Sequence, residues 1–463
     1  YTPDDDEDSA LRSVDGLWIP QARYRVPLEQ ASAGQLVLIG GVGASVAKAA
    51  TLMADVDEVD DDEAHIFRSL SFGDAAAVVK IAVEPLNPSE LPKVVEGLRA
   101  INKTYPLAVT KVEESGEHTI LGTGEVFLDS VMRDLRELYA NVEVKVSDPV
   151  TCFRETVSET SALKCYAETP NGRNKLTMVA EPLDKGLAED IEARAVDLSW
   201  PRRRVANFFT EKYSWDALAA RSVWAFGPDP SAGPNALLDD TIGEVDPDML
   251  KAIRESVSQG FRWGAREGPL CDEPVRGVRF RLLDATVADE PMFRGGGQVI
   301  PTARRVCFSS MLTASPRLME PVYYAEIQTP SDCMSAIYTV LSKRRGHVLG
   351  DAPVAGTPVY TVKAYVPAIE SFGLETDIRF HTQGQAFPQM TFDHWAVVPG
   401  DPCDRGAILR PLEPAPTMHL AREFAVKTRR RKGLADDISV RRYIDDDALV
   451  ELARADEALA AIL

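Results

Sequence analysis

The chain has few cysteines and no long apolar run, which excludes several classes of protein. Its six cysteines are scattered and form no C-x-x-C pair, a pattern typical of reduced thiols in a cytosolic or nuclear protein rather than of a disulfide or zinc framework. No apolar segment reaches the length that a membrane-spanning helix needs, and the acidic N-terminus is unlike a signal peptide. The remaining composition, 45% hydrophobic and 26% charged, is that of ordinary globular material.

Nucleotide-binding motifs are missing as well. The chain has no G-x-x-x-x-G-K-[ST] phosphate loop and no Asn-Lys-x-Asp guanine motif, since Asn102-Lys-Thr-Tyr105 fails at its fourth position. Gly41-Val-Gly43 lacks the third glycine of a dinucleotide fingerprint, so a barrel turn is the favoured interpretation. His118 has no H-E-x-x-H pattern or thiolate partner. We therefore predict no catalytic, cofactor-binding or metal-binding residues, and expect that this chain neither binds nor hydrolyses GTP by itself.

Charge is unevenly distributed along the sequence. The net charge of −20 argues against a chain that coats nucleic acid with its whole surface, yet basic residues are concentrated in three short clusters. Each cluster is interpreted either as a solvated helix end or as a contact surface for RNA or an acidic protein, and both readings stay open. The candidate contact residues are Arg202, Arg203, Arg204, Lys343, Arg344, Arg345, His347, Arg429, Arg430, Arg431 and Lys432.

A length of 463 residues predicts three or four domains, and two segments share one pattern. In both, a predicted strand ends at a Pro-Ser-acid turn, where Ser89 or Ser331 could cap a following helix. We predict these helices at about 90–102 and 332–345. Each is followed by two strands, a second helix and a last strand, the order of a split βαβ, ferredoxin-like unit.

The rest of the chain alternates between short strands and helices. Residues 11–80 read as strands of an all-β barrel, at 17–19, 22–26, 35–39 and 64–67, which are too few to close it. We therefore expect a fragment of a longer protein. A mixed α/β region at 151–316 is predicted to contain helices at 183–196 and 247–263, the second capped by Asp246 with Pro247 first. A further helix is predicted at 446–463.

The glycine run near residue 295 is the most informative stretch. Three consecutive glycines lack Cβ atoms, so the backbone can bend sharply or approach a partner closely. Pro301 is predicted as the first residue of an amphipathic helix that ends near Leu312. The run is therefore predicted to be a glycine tip mounted on a helix, with an ordinary flexible turn as the alternative. The candidate contact residues of the tip are Phe293, Arg294, Gly295, Gly296, Gly297 and Gln298.

Motifs across essentially the whole chain resemble the elongation factor 2 family of GTPases. They include Glu113-Glu-Ser-Gly-Glu-His118, Gly186-Leu-Ala-Glu-Asp-Ile191, Trp224-Ala-Phe-Gly-Pro228, Gly268-Pro-Leu-Cys271 and Pro316-Arg-Leu-Met-Glu-Pro321. Other stretches resemble more closely the splicing branch of that family, the GTPase of the U5 small nuclear ribonucleoprotein. These are Lys164-Cys-Tyr-Ala-Glu-Thr-Pro-Asn171, His419-Leu-Ala-Arg-Glu-Phe424 and Lys427-Thr-Arg-Arg-Arg-Lys-Gly433.

The resemblance implies a multidomain α+β fold. It implies a partial β-barrel, two ferredoxin-like domains and, between them, a domain with a ribosomal-protein-like α/β fold that carries the tip. The implied boundaries are 1–76 for the rest of domain II, 77–150 for domain III, 151–316 for domain IV, 317–403 for domain V and 404–463 for an extension that packs back on domain IV. GTP and Mg²⁺ are expected in an N-terminal domain of the parent protein.

The implied function is pre-mRNA splicing in the nucleus. The family's domains bind the large U5 scaffold protein, lie near U5 RNA and influence the U5 helicase. Elongation factor 2 carries a histidine before its glycines that is modified to diphthamide, and Phe293 has no ring nitrogen to accept that modification. Phe293 therefore disfavours the alternative, a ribosomal translocase, although splicing relatives often keep a histidine there too.

Overall fold

In a computed structural model, the chain forms two compact units. The first comprises residues 1–151 and 323–393, and the second comprises residues 152–322 and 394–463. The structure describes residues 10–52, 77–113, 116–241, 245–407, 409–410 and 413–444. The strand predicted at 64–67 and the helix predicted at 446–463 lie outside these ranges. Within them, no helix is long and apolar enough to cross a membrane.

The first unit begins with a small antiparallel sheet. Its strands are β1 (Gly16–Gln21), β2 (Tyr24–Leu28) and β3 (Leu38–Gly40), in the order β2-β1-β3. Ala22 has a φ of 50° and lies in the turn between β1 and β2, so the strand predicted at 22–26 begins at Tyr24 instead. Because residues 53–76 are not described, the partial barrel stays a prediction.

A β-α-β-β-α-β segment follows. Its elements are β4 (Val79–Pro85), α1 (Leu91–Thr104), β5 (Val109–Val112), β6 (His118–Gly122), α2 (Glu125–Asp134) and β7 (Val144–Val146), with the short β8 (Val150–Thr151) beside β4. The sheet order is β5-β6-β4-β7. Val79, Ile81 and Val83 of β4 are buried in alternation, as a sheet with one face on the core requires.

The second unit is built around a five-stranded sheet with helices on both faces. Its strands are β10 (Cys165–Glu168), β11 (Lys175–Pro182), β12 (Val223–Gly227), β13 (Asn235–Asp239) and β14 (Val278–Thr286), preceded by β9 (Arg154–Val157). Its helices are α3 (Leu187–Glu192), α4 (Arg202–Tyr213), α5 (Ala217–Arg221), α6 (Pro247–Arg266) and α7 (Gly296–Leu312). The sheet order is β10-β11-β14-β13-β12.

Neighbouring residues of the sheet point to two separate cores, because side chains alternate between faces. Leu237 belongs to the core that contains Phe261 of α6 and Val306 of α7. The adjacent Leu238 belongs to the other core, with Phe209 of α4. The sheet is therefore the middle layer between α6–α7 on one side and α3–α5 on the other.

Helix boundaries in this unit correct two predictions. The helix predicted at 183–196 is only α3, because Gly186 (φ 84°) and Arg194 (φ 56°) adopt left-handed backbone conformations at its two ends. Pro301 is not the first helical residue: α7 begins five residues earlier, at Gly296. Asp246 does cap α6, accepting a hydrogen bond from the Asp248 N–H, and α6 continues to Arg266.

A second β-α-β-β-α-β segment forms a further sheet. Its elements are β15 (Pro316–Pro330), α8 (Met334–Lys343), β16 (His347–Pro353), β17 (Val359–Pro367), α9 (Leu374–His381) and β18 (Phe387–Val397). Their order is β16-β17-β15-β18, which repeats the order of the first segment. The start of β15 also pairs with β9. Sheets and helices together make this a multi-sheet α+β protein.

The predicted serine caps of α1 and α8 are wrong. Ser89 and Ser331 each lie inside a short 3-10 turn that precedes the helix, and neither side chain bonds to the helix start. The 3-10 turns close first, with the Glu90 N–H donating to the Asn87 carbonyl at 3.0 Å, so the α-helical residues begin further along the chain.

A buried carboxylate organises the loop between α6 and β14. Glu155 of β9 is fully buried and accepts backbone N–H bonds from Leu270 (2.8 Å), Cys271 (2.7 Å) and Glu273 (3.1 Å). Burial raises the pKa of Glu155 to about 7 against the opposing effect of these three donors. A Cβ on Gly268 would lie 2.3 Å from a Glu155 oxygen, so the loop has no room for a side chain there.

The C-terminal helix α10 (Leu420–Arg431), which the sequence did not predict, docks on the same loop. Arg429 donates to the carbonyl of Leu270, and Lys432 donates to that of Cys271 at 2.8 Å. Phe424 stacks on Phe153 with ring centroids 5.6 Å apart. The segment after residue 394 is therefore an integral part of the second unit.

Candidate functional site

The tip is a 3-10 turn followed directly by a helix, and not an open glycine loop. Pro291–Arg294 form the turn, Gly295 is the N-cap of α7, and Gly296 and Gly297 are already helical. None of the three glycines has a positive φ. Packing explains the early start, since Val299 of the first turn is buried in the core shared with α6.

Two asparagines hold the tip against the β10–β11 hairpin. The backbone carbonyl of Phe293 accepts hydrogen bonds from the side-chain amides of Asn171 (2.9 Å) and Asn174 (2.8 Å). Asn174 is buried and also accepts the Ala288 N–H at 2.9 Å. The Phe293 ring lies under the guanidinium of Arg173, 3.8 Å from its centroid. The tip is therefore anchored through its main chain.

The glycine surface of the tip is open. A Cβ on Gly295 or Gly297 would have no neighbour within 4 Å, and one on Gly296 would make only ordinary contacts, 3.5 Å from Ile300. Gln298 is half-buried, and its side-chain oxygen has no hydrogen-bond partner among the described residues. Side chains can thus be added here without disturbing the fold, which makes the tip testable by substitution.

The first basic cluster is the most available of the three. Arg202, Arg203 and Arg204 open α4, are exposed, and form no ion pair with any carboxylate that the structure describes. The guanidinium of Arg204 stacks on Trp200, 3.8 Å from the ring centroid. The fold also brings cations from other elements beside them, Arg221 of α5 and Arg254 of α6. No spacing in the sequence signals that convergence.

The second cluster is largely engaged within its own segment. Arg344 donates to Asp377 and to the backbone carbonyls of Glu370 (2.6 Å) and Phe372 (2.7 Å). The bonds from Arg344 hold the pKa of Asp377 below its usual value. Arg345, at a φ of 55°, pairs with Glu370 at 3.5 Å. Lys343 and His347 remain exposed beside them.

The third cluster mostly joins α10 to its surroundings. Arg429 is buried with its guanidinium on backbone carbonyls, and Lys432 pairs with Glu273 at 2.7 Å. Arg430 pairs with Asp436 at 2.6 Å. Arg431 is exposed and pairs with no carboxylate in the described part of the chain. Capping and docking thus account for most of this cluster.

Neither metal nor disulfide chemistry is evident where the structure is described. None of the six cysteines, all of which lie in the described ranges, forms a disulfide, and four of them are buried. Across the described ranges, no group of three His, Cys, Asp or Glu side chains could hold a metal ion. The tip and the exposed arginines are surface features of the kind that bind a partner.

Comparison with known proteins finds two matching family models and several relatives of high identity. The model of elongation factor G domain IV matches residues 196–315, and that of the elongation factor G C-terminus matches residues 317–406. The 110 kDa U5 small nuclear ribonucleoprotein component CLO of Arabidopsis thaliana is 63% identical over 98% of this chain and 46% of its own length. The chain belongs to the elongation factor 2-like family of U5 ribonucleoprotein components.

Further relatives agree with this assignment. The 109 kDa U5 component GFL of Arabidopsis thaliana is 62% identical over 98% of this chain, and pre-mRNA-splicing factor cwf10 of Schizosaccharomyces pombe is 53% identical over 99%. The chain covers 46% of each, so it spans about half the length of these relatives. The tip and the first basic cluster lie within the residues that match elongation factor G domain IV. The second basic cluster lies within the residues that match the elongation factor G C-terminus.

Proposed function

We propose that the chain acts in pre-mRNA splicing in the nucleus, as the C-terminal scaffold portion of a U5 ribonucleoprotein GTPase. The observation that carries the proposal is the identity of 53–63% to U5 and splicing components over nearly the whole chain. The phosphate loop is missing from this sequence, so GTP and Mg²⁺ would bind elsewhere in the parent protein.

The proposed mechanism is that of a jointed lever. Residues 77–150 and 317–403 would be the ferredoxin-like domains III and V, with domain IV at 151–316 between them in sequence. GTP state in the parent protein would shift the placement of these rigid parts, and the shift would be read by the large U5 scaffold protein and the U5 helicase during activation and disassembly. The separate buried cores support rigid bodies of this kind.

A ribosomal translocase remains the second candidate, since the matching family models are named for elongation factor G. Phe293 argues against it, because its ring cannot carry the histidine modification of elongation factor 2. The first experiment is to tag the full-length gene product in its own cells, purify it gently and sequence the RNA that accompanies it. U5 small nuclear RNA with little ribosomal RNA is expected; abundant ribosomal RNA would select the translocase.

The tip is proposed as a partner contact, and its open glycines allow a clean test. Gly297→Val adds a side chain where no atom lies within 4 Å, and Gly296→Val adds one with ordinary contacts. Both variants are expected to lose incorporation into the U5 particle while the isolated chain keeps its melting temperature. Normal incorporation together with unchanged splicing would remove the tip from the contact surface.

A further inference from the structure

Two hollows on the surface of the second unit share the side chain of Trp200. One, of about 280 Å³, lies between the start of α4, the end of α5 and the first turns of α6, and Trp224 lines it. The other, of about 620 Å³, lies on the α4 side. We call the two together the Trp200 surface. Its cationic residues are Arg202, Arg203, Arg204, Arg221, Lys251 and Arg254.

The Trp200 surface is basic in a strongly acidic chain. Two carboxylates, Asp239 and Glu211, line it against those six cations, while the whole chain has a net charge of −20. Asp239 is already occupied, because it accepts hydrogen bonds from the N–H and hydroxyl of Thr241. Lys251 pairs with Asp248 at 3.1 Å, whereas the five arginines form no ion pair with a carboxylate of the described residues. This concentration of positive charge on such a chain attracts an anionic partner to the surface.

Helix stability does not explain the arginines of this surface. Arg202, Arg203 and Arg204 occupy the first turn of α4, which contains no acidic residue and has no side-chain cap. Cations at a helix N-terminus oppose the helix dipole, which favours anions there. The same three residues would be stabilising at the other end of α4. The stability of α4 therefore gives no reason for their position, whereas an anionic partner would.

Aromatic rings lie among the cations. The Arg204 guanidinium covers one face of Trp200 at 3.8 Å, and Arg254 lies 5.8 Å from the centroid of Trp224 while donating to its carbonyl at 3.2 Å. Both tryptophans are only half-buried, and neither indole N–H has an acceptor among the described residues. Flat guanidinium and indole groups beside free N–H donors suit stacked bases next to phosphates.

We propose that the Trp200 surface binds a segment of single-stranded RNA, with the arginines on phosphates and Trp200 and its neighbours against the bases. An acidic peptide would be attracted by the same charges, but it has no use for the interleaved indole rings. The proposal deepens the assignment to a ribonucleoprotein. RNA binding by the purified chain does not depend on which particle the full protein enters. The RNA-binding proposal and the proposed splicing function can therefore fail separately.

The test is fluorescence anisotropy of a labelled oligouridine of about ten nucleotides, a length within the range of single-strand sites, with the full 463-residue chain. Arg202→Glu and Arg221→Glu are each expected to weaken binding about tenfold and to lower the slope of log K against log salt by about 0.7 per lost phosphate contact. Arg431→Glu is the matched control: an exposed arginine of another cluster with no described ion pair, whose reversal should leave binding unchanged. Melting temperatures check folding.

Trp200→Leu separates stacking from charge. It is expected to weaken oligouridine binding about tenfold, the effect of one lost stacking partner, with the salt slope unchanged. Oligoglutamate of matched length is the competing ligand. Equal binding of oligoglutamate, with the same sensitivity to Arg202→Glu and none to Trp200→Leu, would assign the surface to an acidic protein. Equal effects of Arg202→Glu and Arg431→Glu, or no binding at all, would also overturn the proposal.

Discussion

Replacing Glu155 by glutamine tests how the buried carboxylate holds the second unit together. One Glu155 oxygen accepts the N–H groups of Cys271 and Glu273, and the other accepts that of Leu270. Glutamine has the same shape but one acceptor oxygen. With that oxygen facing Cys271 and Glu273, its amide N–H₂ faces the Leu270 N–H, a buried donor left without an acceptor. Such a loss destabilises a protein by about 1–3 kcal/mol.

The pH dependence follows from the raised pKa of Glu155. That pKa is about 7 in the folded chain and 4.5 in an unperturbed glutamate. A raised folded pKa gives stability that is complete below the unfolded value and is lost as pH rises through the folded value. Glu155→Gln has no such titration. The stability difference between wild type and variant should therefore be largest near pH 4.5 and shrink by up to about 3 kcal/mol by pH 7.

Urea unfolding followed by tryptophan fluorescence is the suitable assay. Five of the six tryptophans (Trp200, Trp215, Trp224, Trp263 and Trp395) belong to the second unit, so the signal reports mainly on it. Glu168→Gln is the control, because the Glu168 side chain is exposed and makes no hydrogen bond or ion pair with the described residues, while its backbone pairs within the β10–β11 hairpin. It should leave the midpoint unchanged at every pH.

One outcome would refute this reasoning directly. A stability difference between wild type and Glu155→Gln that grows with pH would mean that Glu155 is ionised throughout. The three N–H donors would then outweigh burial and lower its pKa. An unchanged midpoint at all pH values would show instead that the loop between α6 and β14 does not need its buried acceptor.

Four further substitutions have defined outcomes. Asn174→Ala should lower the thermal midpoint by several degrees, about 1–3 kcal/mol, and loosen the tip, measured as faster amide exchange there, because the carbonyl of Phe293 keeps only its bond from Asn171. Gly260→Ala should destabilise by about 1–3 kcal/mol, since its Cβ would lie 2.6 Å from α7, whereas Gly264→Ala, with its nearest contact at 3.5 Å, should be neutral or stabilising in the same urea titration. Arg344→Ala should lower the midpoint of the first unit in calorimetry, because two backbone carbonyls lose their donor.

The repeated β-α-β-β-α-β order could be predicted because its signals are local. The alternation of apolar residues along β4 and their helical spacing in α2 both occur within a few neighbouring residues, so the sequence alone predicts them. The same holds for Asp246, whose carboxylate caps a helix two residues away. Each of these features depends on contacts within a single element, which sequence spacing specifies.

The errors share the opposite cause. α10 was missed because its buried face includes Arg422 and Arg429, which look like solvent-exposed residues until their carbonyl partners are known. The start of α7 was misplaced because packing of Val299 against α6 outweighs the helix-starting preference of Pro301. Tertiary contacts decided both.

The candidate site shows the same division. Arg202 and Arg344 belong to similar basic runs, and nothing in their flanking residues predicts that one is free and the other holds two backbone carbonyls. Which arginine is available depends on residues far away in the sequence. The sequence identified the clusters as candidates, and the fold distinguishes among them.

The anchoring of the tip has an evolutionary consequence. Asn171 and Asn174 grip the carbonyl of residue 293, a group that every amino acid possesses, so the loop keeps its course whichever side chain stands there. A histidine at this position would keep both hydrogen bonds, and only the contact of the ring with Arg173 would differ. A lineage can alter what the tip touches by one substitution while inheriting its geometry intact, so the chemistry of this contact can diverge faster than the architecture that presents it.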